Sequence, residues 1–144
     1  MAGMSASAPA SSHRFVDHTS EIGLQVWAGS FGELLAEAGR GLARLLLRDV
    51  SMEPAGEARE LEVSSHDREA LLVDWLNELL FVAETGLWVP LEFEVLEVSG
   101  TRVRARARGT TVEAPPSIVK AATFHGLEVR ETADGFTAEV ILDV

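Results

Sequence analysis

Between Glu69 and Leu80 the chain reads EALLVDWLNELL, and its apolar positions recur at helical spacing. Leu72, Trp75, Leu76, Leu79, Leu80 and Ala83 make one stripe, and Leu71, Val73, Phe81 and Val82 widen it well beyond a single face. Past the first turn, which holds Asp67, Arg68 and Glu69, only Asp74, Asn77, Glu78 and Glu84 stay polar, which leaves water a narrow ribbon. A helix this apolar is covered over most of its circumference. Ser65 and Asp67 offer N-caps, and Thr85-Gly86 a C-terminal stop. The pattern predicts a central buried helix whose residues pack rather than catalyse.

A second helical stripe lies upstream. Phe31, Leu34, Leu35, Ala38, Leu42, Leu45 and Leu46 share one face, ending near Arg48, and Ser30 with Glu33 reads as a capping box. Gly39 and Gly41 interrupt this helix at about 1 kcal/mol each against alanine, which predicts close packing against the other helix or a sheet. The remaining pattern has period two. Arg14–Asp17 and Glu21–Ala28 read as strands around a His18-Thr19-Ser20 turn. Ala58–Val63 follows a surface loop at Glu53–Glu57, and Leu91–Val98 with Thr101–Gly109 form a hairpin about Ser99-Gly100. Pro115-Pro116 breaks the stretch from Thr110 to Ser117. Ile118–Arg130 and Phe136–Asp143 are the last strands, about a turn at Ala133-Asp134-Gly135. There is no regular βα alternation. The pattern predicts an α+β single domain, a mixed or antiparallel sheet with two main helices packed on it.

At 144 residues and 47% hydrophobic, the chain supports one domain with a sizeable core. The small, polar start predicts a disordered tail over residues 1–13 and a folded domain over 14–144. It lacks the apolar block of a signal peptide. The chain has no cysteine, which removes disulfides, thiolate chemistry and zinc fingers and fits a cytoplasmic home. No apolar run is long enough for a membrane span. The net charge of -11 repels phosphate backbones, so direct nucleic-acid binding by the protein alone is not expected; a basic partner is favoured.

Arg102, Arg104, Arg106 and Arg108 alternate with small residues, placing four guanidiniums on one face of a strand. A phosphate stripe is one meaning of this pattern; a cross-strand charge ladder is the favoured one. With one β-bulge at Val95-Leu96, the Ser99-Gly100 turn pairs Glu97 with Arg102, Glu94 with Arg104 and Glu92 with Arg106.

Candidate chemistry is sparse. There is no G-x-S-x-G, Walker loop or H-E-x-x-H. His13 falls in the tail and His66 near a helix start, where both are solvated, whereas His18 and His125 sit at strand ends. Lys120 is the sole lysine against eleven arginines. At the end of the chain, ILDV, the Asp143 and Val144 carboxylates repel unless a cation lies between them. The alternative is a frayed, solvated end.

Four segments, FVDHTSEIGLQVWA, EALLVDWLNELLF, VKAATFHGLEV and ILDV, occur in the order seen in the archease family, and from Arg14 to Val144 the chain resembles it. The resemblance implies a protein without enzymatic activity of its own. It implies an activator of RtcB-type RNA ligases, which join tRNA halves and repair RNA through a histidine–GMP intermediate. It also implies an acidic divalent-metal site, associated with calcium, with manganese or magnesium as alternatives. Matched residue by residue, the metal ligands fall on Glu21, Asp143 and Val144, and the activation-essential lysine falls on Lys120. Glutamate at position 21 departs from the family's usual aspartate, and the 110–117 loop is shorter than is typical. Two other classes stand beside this: a metal-dependent phosphoester hydrolase using Glu21, Asp143 and His125, and a chaperone-like binding module.

Overall fold

The computed structural model describes residues 11–18, 20–48, 53–116 and 118–144, without the side chain of His18. The first ten residues of the expected tail, Thr19 of the first turn and Ser117 of the proline loop lie outside the described residues. Ten elements follow in order: β1 (Ser12–His18), β2 (Glu21–Ala28), α1 (Phe31–Leu47), β3 (Ala55–Ser64), α2 (Arg68–Gly86), β4 (Trp88–Val98), β5 (Arg102–Thr111), β6 (Ala121–Thr123), β7 (Val129–Thr132) and β8 (Gly135–Asp143). The class is α+β, but the strands form two sheets rather than one, and every pairing is antiparallel. The larger sheet runs β1-β2-β8, with β6 and β7 sharing the far edge of β8; the smaller runs β3-β5-β4.

The helices lie between the sheets. α1 packs on β2 and β4, and α2 on β3, β4 and β6. That placement explains the apolar breadth of α2, since Leu71, Leu72, Val73, Trp75, Leu76, Leu79 and Leu80 are all buried. Two of the three α1 glycines, Gly39 and Gly41, face opposite sheets. A Cβ on Gly39 would stand 2.7 Å from the Phe93 ring of β4, and one on Gly41 would stand 2.9 Å from Leu24 of β2. Trp75 closes the centre: its ring meets Phe93 edge-on at 5.6 Å, and its Nε1 donates to the Leu35 carbonyl at 2.8 Å. The helix starts follow the caps. Ser30 Oγ accepts from Glu33 N at 3.2 Å, and Asp67 Oδ1 accepts from Ala70 N at 2.7 Å.

Four local expectations need correction. The 118–130 strand is two strands, β6 and β7, interrupted where Gly126 takes φ 64 and Leu127 N donates to Phe124 O at 3.0 Å. The loop at residues 53–57 is shorter, because β3 begins at Ala55, and Thr110 and Thr111 extend β5 into the expected proline loop. The charge ladder exists, with its bulge between Val95 and Glu97, but in another register: Glu97 opposes Arg104, Glu94 opposes Arg106 and Glu92 opposes Arg108. The cause is the turn. Ser99 N donates to Arg102 O at 2.8 Å and Ser99 Oγ accepts from Thr101 N, so Gly100-Thr101 rather than Ser99-Gly100 occupies the tip. β3 supplies a second acidic row, so Arg104 binds both Glu97 and Glu60, Arg102 binds Glu62, and Arg106 binds Glu94. The Arg104 guanidinium holds the Glu97 carboxyl below its ordinary range. These arginines are occupied by carboxylates, which is the ladder and not a phosphate stripe.

Candidate functional site

The ends of β2 and β8 meet at one margin of the larger sheet. The register sets Glu21 directly opposite Asp143 and sets Asp143 opposite Ala121 on its other side. Chain reversal before β2 makes this possible: Ser20 takes the left-handed conformation at φ 60, and its carbonyl accepts from Val144 N at 3.4 Å. On the far side Lys120 N donates to Asp143 O at 2.7 Å. Three strands therefore bring together the backbones of Glu21, Lys120, Asp143 and Val144, residues up to 123 positions apart in sequence.

Their side chains differ in environment. Glu21 is half-buried, Asp143 and Lys120 are exposed, and Val144 packs partly against the core, which ties down the chain end. Among the described residues, no hydrogen bond or ion pair joins the Lys120 ammonium to a carboxylate, and no three His, Asp or Glu side chains cluster as a metal site. The side chains of Glu21 and Asp143 at this margin carry carboxylate oxygens, the kind of atom that hard divalent cations take. Like charges directly opposite across strands destabilise the pair, by up to about 1 kcal/mol, and a cation relieves that repulsion.

The histidines part company. His125 is exposed in the β6–β7 loop, and His66 is exposed at the start of α2, 3.6 Å from the Asp67 carboxylate. The register sets His18 opposite Glu21. His13 is not solvated and not in a tail: it lies in β1, and its Nδ1 donates to Glu37 Oε2 at 2.6 Å. Ser11 Oγ and Arg40 Nη1 donate to the other oxygen of Glu37, each at 2.8 Å. This cluster fastens β1 to α1, and an isolated Glu37 in an apolar helix face gave no hint of partners so far upstream.

A cavity of about 380 Å³, lined by Gln25, Trp27, Glu128, Arg130, Thr137 and Glu139, opens on the larger sheet. Glu139, the lining residue nearest Asp143 along β8, is four residues before it, about 13 Å along an extended strand, so this cavity lies away from the acidic margin.

Two antiparallel sheets enclosing a helical pair, with β2 and the last strand, β8, side by side at an acidic end, define the class: an α+β domain with no recognisable catalytic constellation among the described residues. A profile of the Archease protein family (MTH1598/TM1083) matches residues 13–144. The chain belongs to the archease family. It is 31% identical to the protein archease of Methanosarcina barkeri, over 92% of this chain and 95% of that one. It is 32% identical to the protein archease of Archaeoglobus fulgidus, over 92% and 98% respectively. Among solved structures, Methanobacterium thermoautotrophicum protein 1598 superposes with a TM-score of 0.67 at 31% identity, covering 92% of this chain and 98% of that one. An archease of Thermotoga maritima, described as a possible chaperone, shares the fold at a TM-score of 0.61 and 23% identity, covering 90% and 94%.

Proposed function

We propose that this archease is a non-catalytic activator of an RtcB-type RNA ligase in the cytoplasm, promoting ligase guanylylation and multiple turnover in tRNA splicing and RNA repair. The observation that carries this is the direct opposition of Glu21 and Asp143 at the sheet margin, with the backbones of Lys120 and Val144 bonded beside them. In this reading Glu21, Asp143 and the Val144 carboxylate hold a divalent cation, calcium foremost and manganese or magnesium as alternatives. When bound, the ion supplies positive charge that lets the carboxylates face the ligase together. The longer glutamate side chain at position 21 reaches one methylene further than the aspartate of the family pattern. The exposed Lys120 ammonium meets a triphosphate oxygen or a ligase carboxylate. Positioning and electrostatics are most of what nucleotidyl transfer asks of a helper protein. An acidic activator with a charge of -11 suits a basic, RNA-binding enzyme, and repels RNA by itself.

Single-turnover guanylylation of the cognate ligase, with and without this protein, is the test. Faster formation of the covalent enzyme–GMP species is the expected result, and identical rates would refute the reading. The hydrolase alternative requires turnover of phosphoesters by the lone protein with manganese. A chaperone-like module has support in the description of the Thermotoga relative. It calls for a contiguous apolar patch; the exposed large hydrophobic side chains among the described residues are Trp27, Phe81, Val98 and Phe124. Suppression of aggregation of an unfolded client would favour it.

A further inference from the structure

β6 is three residues long and has a strand neighbour, β8, on one side only. Its other edge presents the N–H and C=O of Ala122, whose side chain is buried. A buried backbone N–H and C=O left unpaired would each keep the full penalty of their lost hydration. Asn77 of α2 takes both. Its Oδ1 accepts from Ala122 N at 2.9 Å and its Nδ2 donates to Ala122 O at 3.3 Å. One primary amide thus stands in for a missing strand at the residue two places from Lys120. Eight residues earlier on α2, Glu69 does a related thing further along the same strap: its carboxylate accepts from Val129 N of β7 at 2.9 Å.

We propose that Asn77 is the positioning residue for Lys120. The amide fixes β6 against α2, and through the 2.7 Å bond from Lys120 N to Asp143 O it sets Lys120 against the acidic end of β8. Only an amide does this. Aspartate keeps the acceptor for the N–H but offers the carbonyl a repelling oxygen, and leucine fills the volume without either bond. The inference rests on Lys120 acting in ligase activation, yet its structural half is readable without the ligase.

The experiment compares Asn77→Asp, Asn77→Leu and, as a control at the other end of the strap, Glu69→Leu, which removes the acceptor for Val129 N. Amide hydrogen exchange of the full chain is read at Lys120 and Ala122 and, as an internal reference, at Trp75 and Leu76. Both Asn77 variants are expected to accelerate exchange at Lys120 and Ala122 tenfold or more, with the reference amides unchanged, and to cut maximal ligase stimulation several-fold. Glu69→Leu is expected to loosen Val129 and leave stimulation at the wild-type level. In the Lys120→Ala background, Asn77→Leu should lower stimulation no further. Unchanged exchange at Lys120, or acceleration spread equally over α2, would overturn the positioning role. Equal loss of stimulation in Glu69→Leu would overturn it too, by showing that any slack in the strap suffices. If the wild-type protein gives no stimulation while the selective exchange is seen, the activator reading fails and the Asn77 clamp stands.

Discussion

Glu37 is 7% exposed and is held by three donors, His13, Ser11 and Arg40. Burial alone would raise its proton affinity, but those hydrogen bonds outweigh burial and hold the carboxyl below its ordinary value of 4.5. A carboxyl with a lowered folded pKa contributes stability that is full above the unfolded value and is lost as pH falls through the folded one. Urea midpoints of the wild type should therefore drop between about pH 6 and about pH 3 more steeply than those of Glu37→Gln. Parallel profiles would mean the cluster adds no pH-linked stability. Lys120 offers the other test at this scale. Lys120→Arg retains charge but exchanges a compact ammonium for a wide planar fork. The variant should melt like the wild type and fail to stimulate the ligase; full stimulation would reduce Lys120 to an interchangeable cation.

Among elements, α1 shows how a local preference yields to packing. Helix propensity alone says that Gly39→Ala stabilises by about 1 kcal/mol. The new methyl would stand 2.7 Å from Phe93, a ring fixed on its other side by Trp75, so neither neighbour yields easily. Overpacking of this kind destabilises by roughly 1–3 kcal/mol. Gly39→Ala should lower stability in urea denaturation, and a gain would mean that Phe93 can turn away. The β4–β5 hairpin shows the same dependence on neighbours. A turn shifted by one residue moves every cross-strand pair by two, and the third strand, β3, adds Glu60 and Glu62 as acceptors.

On the scale of the whole molecule, β2, the second strand of the chain, and β8, the last, are adjacent. Under the proposal above, a cation shared there would link them and stabilise the folded state by mass action. Calcium or manganese should raise the melting temperature of the native-ended protein. A C-terminal extension, which replaces the Val144 carboxylate with a neutral amide, should gain less, and so should Asp143→Asn. Equal shifts in all three would place the cation elsewhere. No shift in any would mean that this margin holds no cation.

Periodicity along the sequence was sufficient for both helices, their caps and the α+β class, because an apolar stripe and a capping side chain act within a few residues. Strand positions were legible for the same reason, except where β6 and β7 were read as one. The residues of the acidic margin drew notice as oddities, a sole lysine and two carboxylates at the chain end, and the family pattern grouped them with Glu21. Their adjacency was decided only in three dimensions, by the register of β2 on β8 and the bond from Lys120 to Asp143. The division into two sheets, the rescue of His13 by Glu37 and the grip of Asn77 on Ala122 were likewise tertiary matters. Each pairs groups dozens of residues apart, and a polar side chain on a helix looks the same in sequence whether it faces water or the unpaired edge of a strand.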